Sequence, residues 1–98
     1  MQSKIVKNHM IFSVNNAEIG EVSFVLTLDK KTLICEHVLV FPQYRKQGYG
    51  IKIIEQLINY AKSNKLLIYP LCPFVKKYFA AHPQYNHLNA QLLKINRH

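Results

Sequence analysis

The sequence predicts an α/β chain of the α+β kind, an antiparallel strand meander followed by helix, strand and helix, and three observations carry that prediction. Apolar residues up to Phe41 largely follow the two-residue period of strands. From Ile51 onward they recur at steps of three and four, the period of a helix. Between the two regimes stands the glycine-containing turn Gly48-Tyr49-Gly50.

Each element follows in order. "MIFSVNN" reads as a strand that ends in the turn signal Asn15-Asn16. In "IGEVSFVLTLDKK", Val22, Phe24, Leu26 and Leu28 fall on one face and Glu21, Ser23 and Thr27 on the other, and Asp29-Lys30-Lys31 makes the next turn. "TLICEHVLVF" is apolar on both faces apart from Glu36 and His37, which predicts a central strand covered on both sides. Ile51, Ile54, Leu57, Ile58 and Ala61 then oppose Lys52, Glu55, Gln56, Asn59 and Lys62, an amphipathic helix of about four turns. Asn64 is positioned to cap its C-terminus. "LLIYPL" reads as a short buried strand stopped by Pro70, and "PFVKKYFAAH" as a helix that begins with Pro73 and stops before Pro83. Leu88 to Ile95 adds one more short helix.

Composition narrows the function classes. At 98 residues the chain is expected to form one domain, residues 1–98, and an apolar fraction of 49% marks a folded protein. No apolar run reaches the roughly 20 residues that cross a bilayer, and "MQSKIVKNHM" lacks the apolar stretch of a signal peptide, so a soluble, cytoplasmic protein is expected. Cys35 and Cys72 are too few for a disulfide framework and are read as thiols. His82 and His87 are split by Pro83 and joined by no Cys or carboxylate cluster, so no metal site is expected. The formal net charge of +8 draws polyanions: nucleic acid, an acidic membrane or a phosphate-rich small molecule.

The turn between strand and helix sharpens that choice. A helix N-terminus presents unpaired N–H groups to anions, and Arg45, Lys46, Gln47, Gly48, Tyr49 and Gly50 supply two cations and two positions without a Cβ. A Walker A loop is absent, and the dinucleotide fingerprint fails because Ile53 stands where its third glycine is needed. The spacing alone leaves two readings open, a phosphate cradle or glycines that only turn the chain.

Arg45-x-x-Gly48-x-Gly50, after a strand and opening a helix, is similar to the [QR]-x-x-G-x-[GA] loop of the GNAT superfamily of acetyl-CoA-dependent N-acetyltransferases. From Glu36 to Tyr85 the chain more specifically resembles the short YjdJ-like branch: His37 lies eight residues before Arg45, and "LCPF" around Cys72 follows the next strand. The resemblance implies a GNAT-like fold with acetyl-CoA as cofactor and an amine as acceptor. It implies that the pyrophosphate of coenzyme A lies on the N–H groups of Gln47, Gly48, Tyr49, Gly50 and Ile51, with Arg45 and Lys46 adding charge. The pantetheine arm would pair, strand-like, near Leu39 and Val40.

The same resemblance nominates three side chains for chemistry. Transfer to an amine needs a base and an acid. His37 is a candidate base, histidine being the side chain whose ordinary pKa lies nearest working pH; the alternative is a hydrogen-bonded core residue. Glu36 points to the opposite face from His37, so only one of them looks into a given cleft. Cys72 is either the site of an acetyl-cysteine intermediate or a small residue lining the thioester pocket. Tyr78 either protonates the leaving thiolate or packs its helix. The chain departs from the full-length family pattern in having only a short turn near Asn15, where two further helices usually help build the acceptor pocket, and in carrying Val38 where a threonine is common. Two other functions stand beside acetyl transfer, a non-catalytic acyl-CoA binding module and a nucleic-acid binder. The scattered basic residues and the lack of a recognition motif weigh against nucleic acid. A short sheet with an open edge leaves both monomer and homodimer open.

Overall fold

Five strands form one sheet in chain order in a computed structural model that describes residues 1–95. They are β1 (Gln2–Val6), β2 (His9–Val14), β3 (Ala17–Leu26), β4 (Thr32–Val40) and β5 (Leu67–Pro70). The first four run antiparallel, and β5 joins β4 in parallel over Thr32 to Cys35. A 3-10 turn (Pro42–Tyr44) leads to α1 (Tyr49–Ser63), and after β5 come α2 (Pro73–Ala81), a 3-10 segment (Pro83–Leu88) and α3 (Ala90–Ile95). Among the described residues no helix is long and apolar enough to cross a membrane.

Local chemistry explains the boundaries. Asn15 (φ 51°) and Asn16 (φ 69°) are both left-handed, the two-residue hairpin geometry whose twist matches the flanking strands. Thr27 donates its hydroxyl to Asp29 at 2.6 Å, closing the next turn and holding the Asp29 carboxyl below its usual range. Asn64 caps α1, its side-chain amide donating to the Tyr60 carbonyl at 2.8 Å, while Lys65 takes the left-handed position one residue later. Cys72 is the residue before α2, and Pro73 fills a first-turn position whose N–H would have no partner.

One face of the sheet makes the core. Met10, Phe12, Val22, Phe24, Leu33, Cys35 and Ile68 pack against Ile53, Ile54, Leu57, Ile58 and Ala61 of α1 and Val75, Tyr78 and Phe79 of α2. Gly20 lets α1 settle onto the sheet, for a Cβ there would lie 2.5 Å from the Leu39 carbonyl oxygen and 2.9 Å from Ile53 Cδ1. The opposite face carries Ile11, Glu21, Ser23, Val25, Ile34 and His37, none of them buried. β4 is therefore central but covered on one face only, which corrects the expectation of cover on both.

Three further expectations change. β1 has no counterpart in the sequence pattern: all five of its residues are exposed, so no buried stripe marks it. Leu26 and Leu28 keep the apolar period but lie at and beyond the end of β3, where the sheet no longer covers them; Leu28 is fully exposed. The register slips between Ser23 and Phe24, which pair with His37 and Cys35, so Glu36 is an inserted bulge residue. Parity breaks there: Cys35 and Val38, not Cys35 and His37, are paired with the core-facing Phe24 and Val22. Simple alternation therefore does not set Glu36 against His37.

Cys35 and Cys72 are free and buried. Burial, then the neighbouring Cys72 and Glu36, push the Cys35 thiol up from 9.0 to about 12. At pH 8 the Cys35 thiol is therefore protonated, and only the thiolate reacts. Alkylation by iodoacetamide followed by intact mass is expected to leave the folded protein unlabelled and to add two adducts in denaturant; rapid native labelling of Cys35 would overturn that placement. The linkage has a sign too. The unfolded chain ionises first, so this group's stabilisation is intact below pH 9 and is lost as pH rises from 9 toward 12.

Candidate functional site

β5 leaves β4 after Cys35, so the following half of β4 has no strand on that side. Into the gap open the loop after β4 and the first turn of α1. The result is a cleft of about 500 Å³ between the strand end His37-Val38-Leu39-Val40, the loop residues Tyr44, Arg45, Lys46 and Gly48, the α1 residues Tyr49, Gly50 and Ile51, and Phe74 of α2. The sequence-predicted loop and strand residues thus meet in one cleft, except that Gln47 is not part of its lining; Gln47 donates from its side-chain amide to the Gln43 carbonyl at 3.4 Å.

The loop geometry explains why glycine is favoured at position 48. Lys46 (φ 64°) and Gly48 (φ 82°) are both left-handed, and Gly48 is the N-cap of α1 without any side-chain hydrogen bond to the helix. No acidic residue lies in the first turn of α1, so the positive end of the helix has no internal counter-charge. Space where a Gly48 side chain would start is open, with nothing within 4 Å. Arg45 donates Nε to the Val40 carbonyl at 2.9 Å, tying the loop to the strand end and leaving its terminal amino groups for an anion. Tyr44 and Tyr49 meet edge to face with centroids 6.4 Å apart and wall the cleft beside them.

His37 is exposed and lines the cleft at its strand end. Cys72 and Tyr78 are not brought to it. Cys72 is 4% exposed, its N–H donating to the Cys35 carbonyl at 3.2 Å and its carbonyl accepting from Val75 and Lys76, so it fastens the start of α2 to β4. Tyr78 is 6% exposed and stacked on His82, centroids 3.9 Å apart, with Tyr85 beyond. His82 donates Nδ1–H to the Tyr78 carbonyl at 2.8 Å. Burial, then Glu55 and Tyr85, raise the Tyr78 phenol above its ordinary value. One turn earlier on the same helix, Phe74 takes the place on the cleft, 41% exposed. Sequence reasoning misses Phe74 as a site residue, although it stands in the "LCPF" stretch that the sequence singles out.

Residues 10–88 match the family model described as GCN5-related N-acetyl-transferase. None of the curated protein sequences matches. Among solved structures, the ribosomal-protein-S18-alanine N-acetyltransferase of Escherichia coli superposes with a TM-score of 0.56 at 17% identity, over 67% of this chain and 43% of that one. Ard1 of Thermoplasma volcanium gives 0.54 at 12% identity, over 65% and 43%. A GCN5-like protein of Staphylococcus aureus gives 0.67 at 21% identity, over 90% of this chain and 86% of that one. The chain thus spans less than half the length of the first two, and these likenesses establish a shared fold.

Proposed function

The chain belongs to the GCN5-related N-acetyltransferase family, and from that premise we propose that it moves an acetyl group from acetyl-CoA to an amine. The observation that carries the reading is the cleft, in which a basic, glycine-containing helix N-terminus and the free edge of β4 face each other. The order of His37, the loop and "LCPF" supports the YjdJ-like branch within the family.

The residues fit the cofactor's chemistry. Bound acetyl-CoA would supply the thioester from which the acetyl group leaves. The N–H groups at the start of α1, with Arg45 and Lys46, hold the pyrophosphate. The edge of β4 at Val38 and Val40, unpaired by β5, orients the arm by main-chain hydrogen bonds; Phe41 donates to Ile19 of β3, and by alternation the main-chain groups of Leu39 also face β3, so Leu39 lines the cleft without offering that edge. His37 would take the proton of the acceptor amine at an imidazole nitrogen; as the C–N bond forms and the thioester C–S bond breaks, the leaving thiolate would take its proton from water in the open cleft. Cys72 and Tyr78 act through packing in this reading, because neither lines the cleft.

Calorimetric titration with acetyl-CoA at two salt concentrations tests the cofactor, saturable binding being expected at both. Its absence at both would sink the reading. His37→Ala is expected to lower kcat about a hundredfold with little change in acetyl-CoA affinity, the usual scale for a general base, while Glu36→Ala changes it little. Equal effects would remove His37 from the chemistry. A second reading, a non-catalytic acyl-CoA module, is favoured by the placement of Cys72 and Tyr78 outside the cleft; binding without turnover of any amine would select it.

A further inference from the structure

Gly50 is a glycine without a backbone reason to be one. It lies in the first turn of α1 with φ outside the left-handed region, where alanine would favour the helix by about 1 kcal/mol. Its surroundings supply a different reason. A Cβ built there would lie 2.9 Å from Phe74 Cε2 and 3.0 Å from Cζ, and 3.8 Å from Val40 Cγ2. The Phe74 ring therefore rests directly on the backbone of α1, and only a residue without a side chain leaves it room.

Phe74 is held at its other end as well. It sits in the first turn of α2, whose start is fastened to β4 through the hydrogen bonds that Leu71 and Cys72 donate to the Cys35 carbonyl, at 3.0 and 3.2 Å. The ring is 41% exposed, and its exposed side faces the cleft between the basic loop and the strand end. A Cβ at Gly50 would meet the far end of the ring, not backbone, so the ring would swing aside, and the open side is the cleft.

We propose that Gly50 and Phe74 form a steric interlock that sets the width of the cleft, with Phe74 a specificity-determining wall against the apolar arm of the ligand. The inference rests on the coenzyme A reading and deepens it. The loop end of the cleft carries Arg45 and Lys46, the stretch beside Phe74 is bounded by Gly50 and Val40, and a ligand that fits both joins an anionic group to a slender, largely apolar chain. Branched or bulkier chains are excluded at this point.

Calorimetry on four proteins tests the interlock: wild type, Gly50→Ala, Phe74→Ala and the double variant, each titrated with coenzyme A and with ADP, which has the pyrophosphate but no arm. Phe74→Ala is expected to weaken coenzyme A about tenfold by removing apolar contact with the arm, and to leave ADP unchanged. Gly50→Ala is expected to weaken coenzyme A at least about tenfold, as the displaced ring narrows the cleft, while its melting temperature does not fall. The double variant is expected to stay near the Phe74→Ala value; independent effects would multiply to roughly a hundredfold. Multiplied losses, an unchanged Phe74→Ala, or an equal loss of ADP would overturn the interlock while leaving the cofactor reading in place. A wild type that binds neither ligand would remove the cofactor reading, and the interlock with it.

Discussion

Gly48→Glu is expected to abolish coenzyme A binding, raising the dissociation constant at least about a hundredfold, while the protein stays folded. Gly48 caps α1 at φ 82°, and nothing lies within 4 Å of where its Cβ would begin, so a side chain meets no steric barrier. The backbone cost of a left-handed non-glycine residue is about 1–2 kcal/mol, and a carboxylate at a helix N-terminus returns part of it, about 0.3–1 kcal/mol. The fold therefore survives. The carboxylate, however, sits where the helix end and Arg45 and Lys46 draw a phosphate, and it competes for the same N–H groups. Gly48→Asn separates charge from backbone: asparagine tolerates the left-handed region and carries no charge, so it is expected to keep affinity within a few-fold. Calorimetry on both variants decides, and a Gly48→Glu protein that binds like wild type would disprove the phosphate cradle.

Gly20→Ala is expected to have the largest effect on stability, about 3 kcal/mol, the upper part of the range for overpacking a core. The new Cβ would lie 2.5 Å from the Leu39 carbonyl oxygen, in the strand that pairs with β3, and 2.9 Å from Ile53 Cδ1. The Ile53 methyl group can turn away. The carbonyl cannot, because moving it separates β3 from β4 at the place where Phe41 continues the pairing by donating to the Ile19 carbonyl at 2.9 Å. For a chain of this size the cost corresponds to a melting temperature roughly 12–24 °C lower. Ile53→Val in the same background relieves one contact and is expected to recover little. A melt within a few degrees of wild type would mean that the sheet opens at little cost. The contrast with Gly50→Ala, whose Cβ meets only a ring edge, is itself part of the expectation.

The parts of the molecule that depend on neighbours in sequence were legible in advance. Period 3.6 located α1, because burying Ile54, Leu57, Ile58 and Ala61 on one side needs no knowledge of what covers them, but it placed Ile51 on that face, which is exposed at the cleft, and passed over Ile53, which is fully buried against the sheet. Asn15-Asn16, Asn64 and Pro73 marked their turn, cap and helix start through local backbone preferences. The loop from Arg45 to Gly50 was legible for the same reason, since its anion-binding character lies in cations, missing Cβ atoms and a helix start that are contiguous along the chain. β1 left no trace because it is held by backbone hydrogen bonds to β2 and buries nothing.

Sequence alone thus determined the order of elements from β2 onward, most of the buried face of α1 and the loop that opens it, all properties of short-range period and backbone preference. Tertiary structure alone decided the rest. The bulge at Glu36 belongs to the register between β3 and β4, and it is register that breaks the parity between Glu36 and His37. The early departure of β5 made the cleft, and the packing of α2 brought its first turn, with Phe74, to the cleft while Tyr78, one turn later along the same side of the helix, lies buried beyond it. Gly20 and Gly50 look alike in the sequence, yet one is required by a carbonyl of the adjacent strand and the other by a phenyl ring 24 residues away. Those requirements come from distances between segments remote along the chain, which exist only once the core has closed.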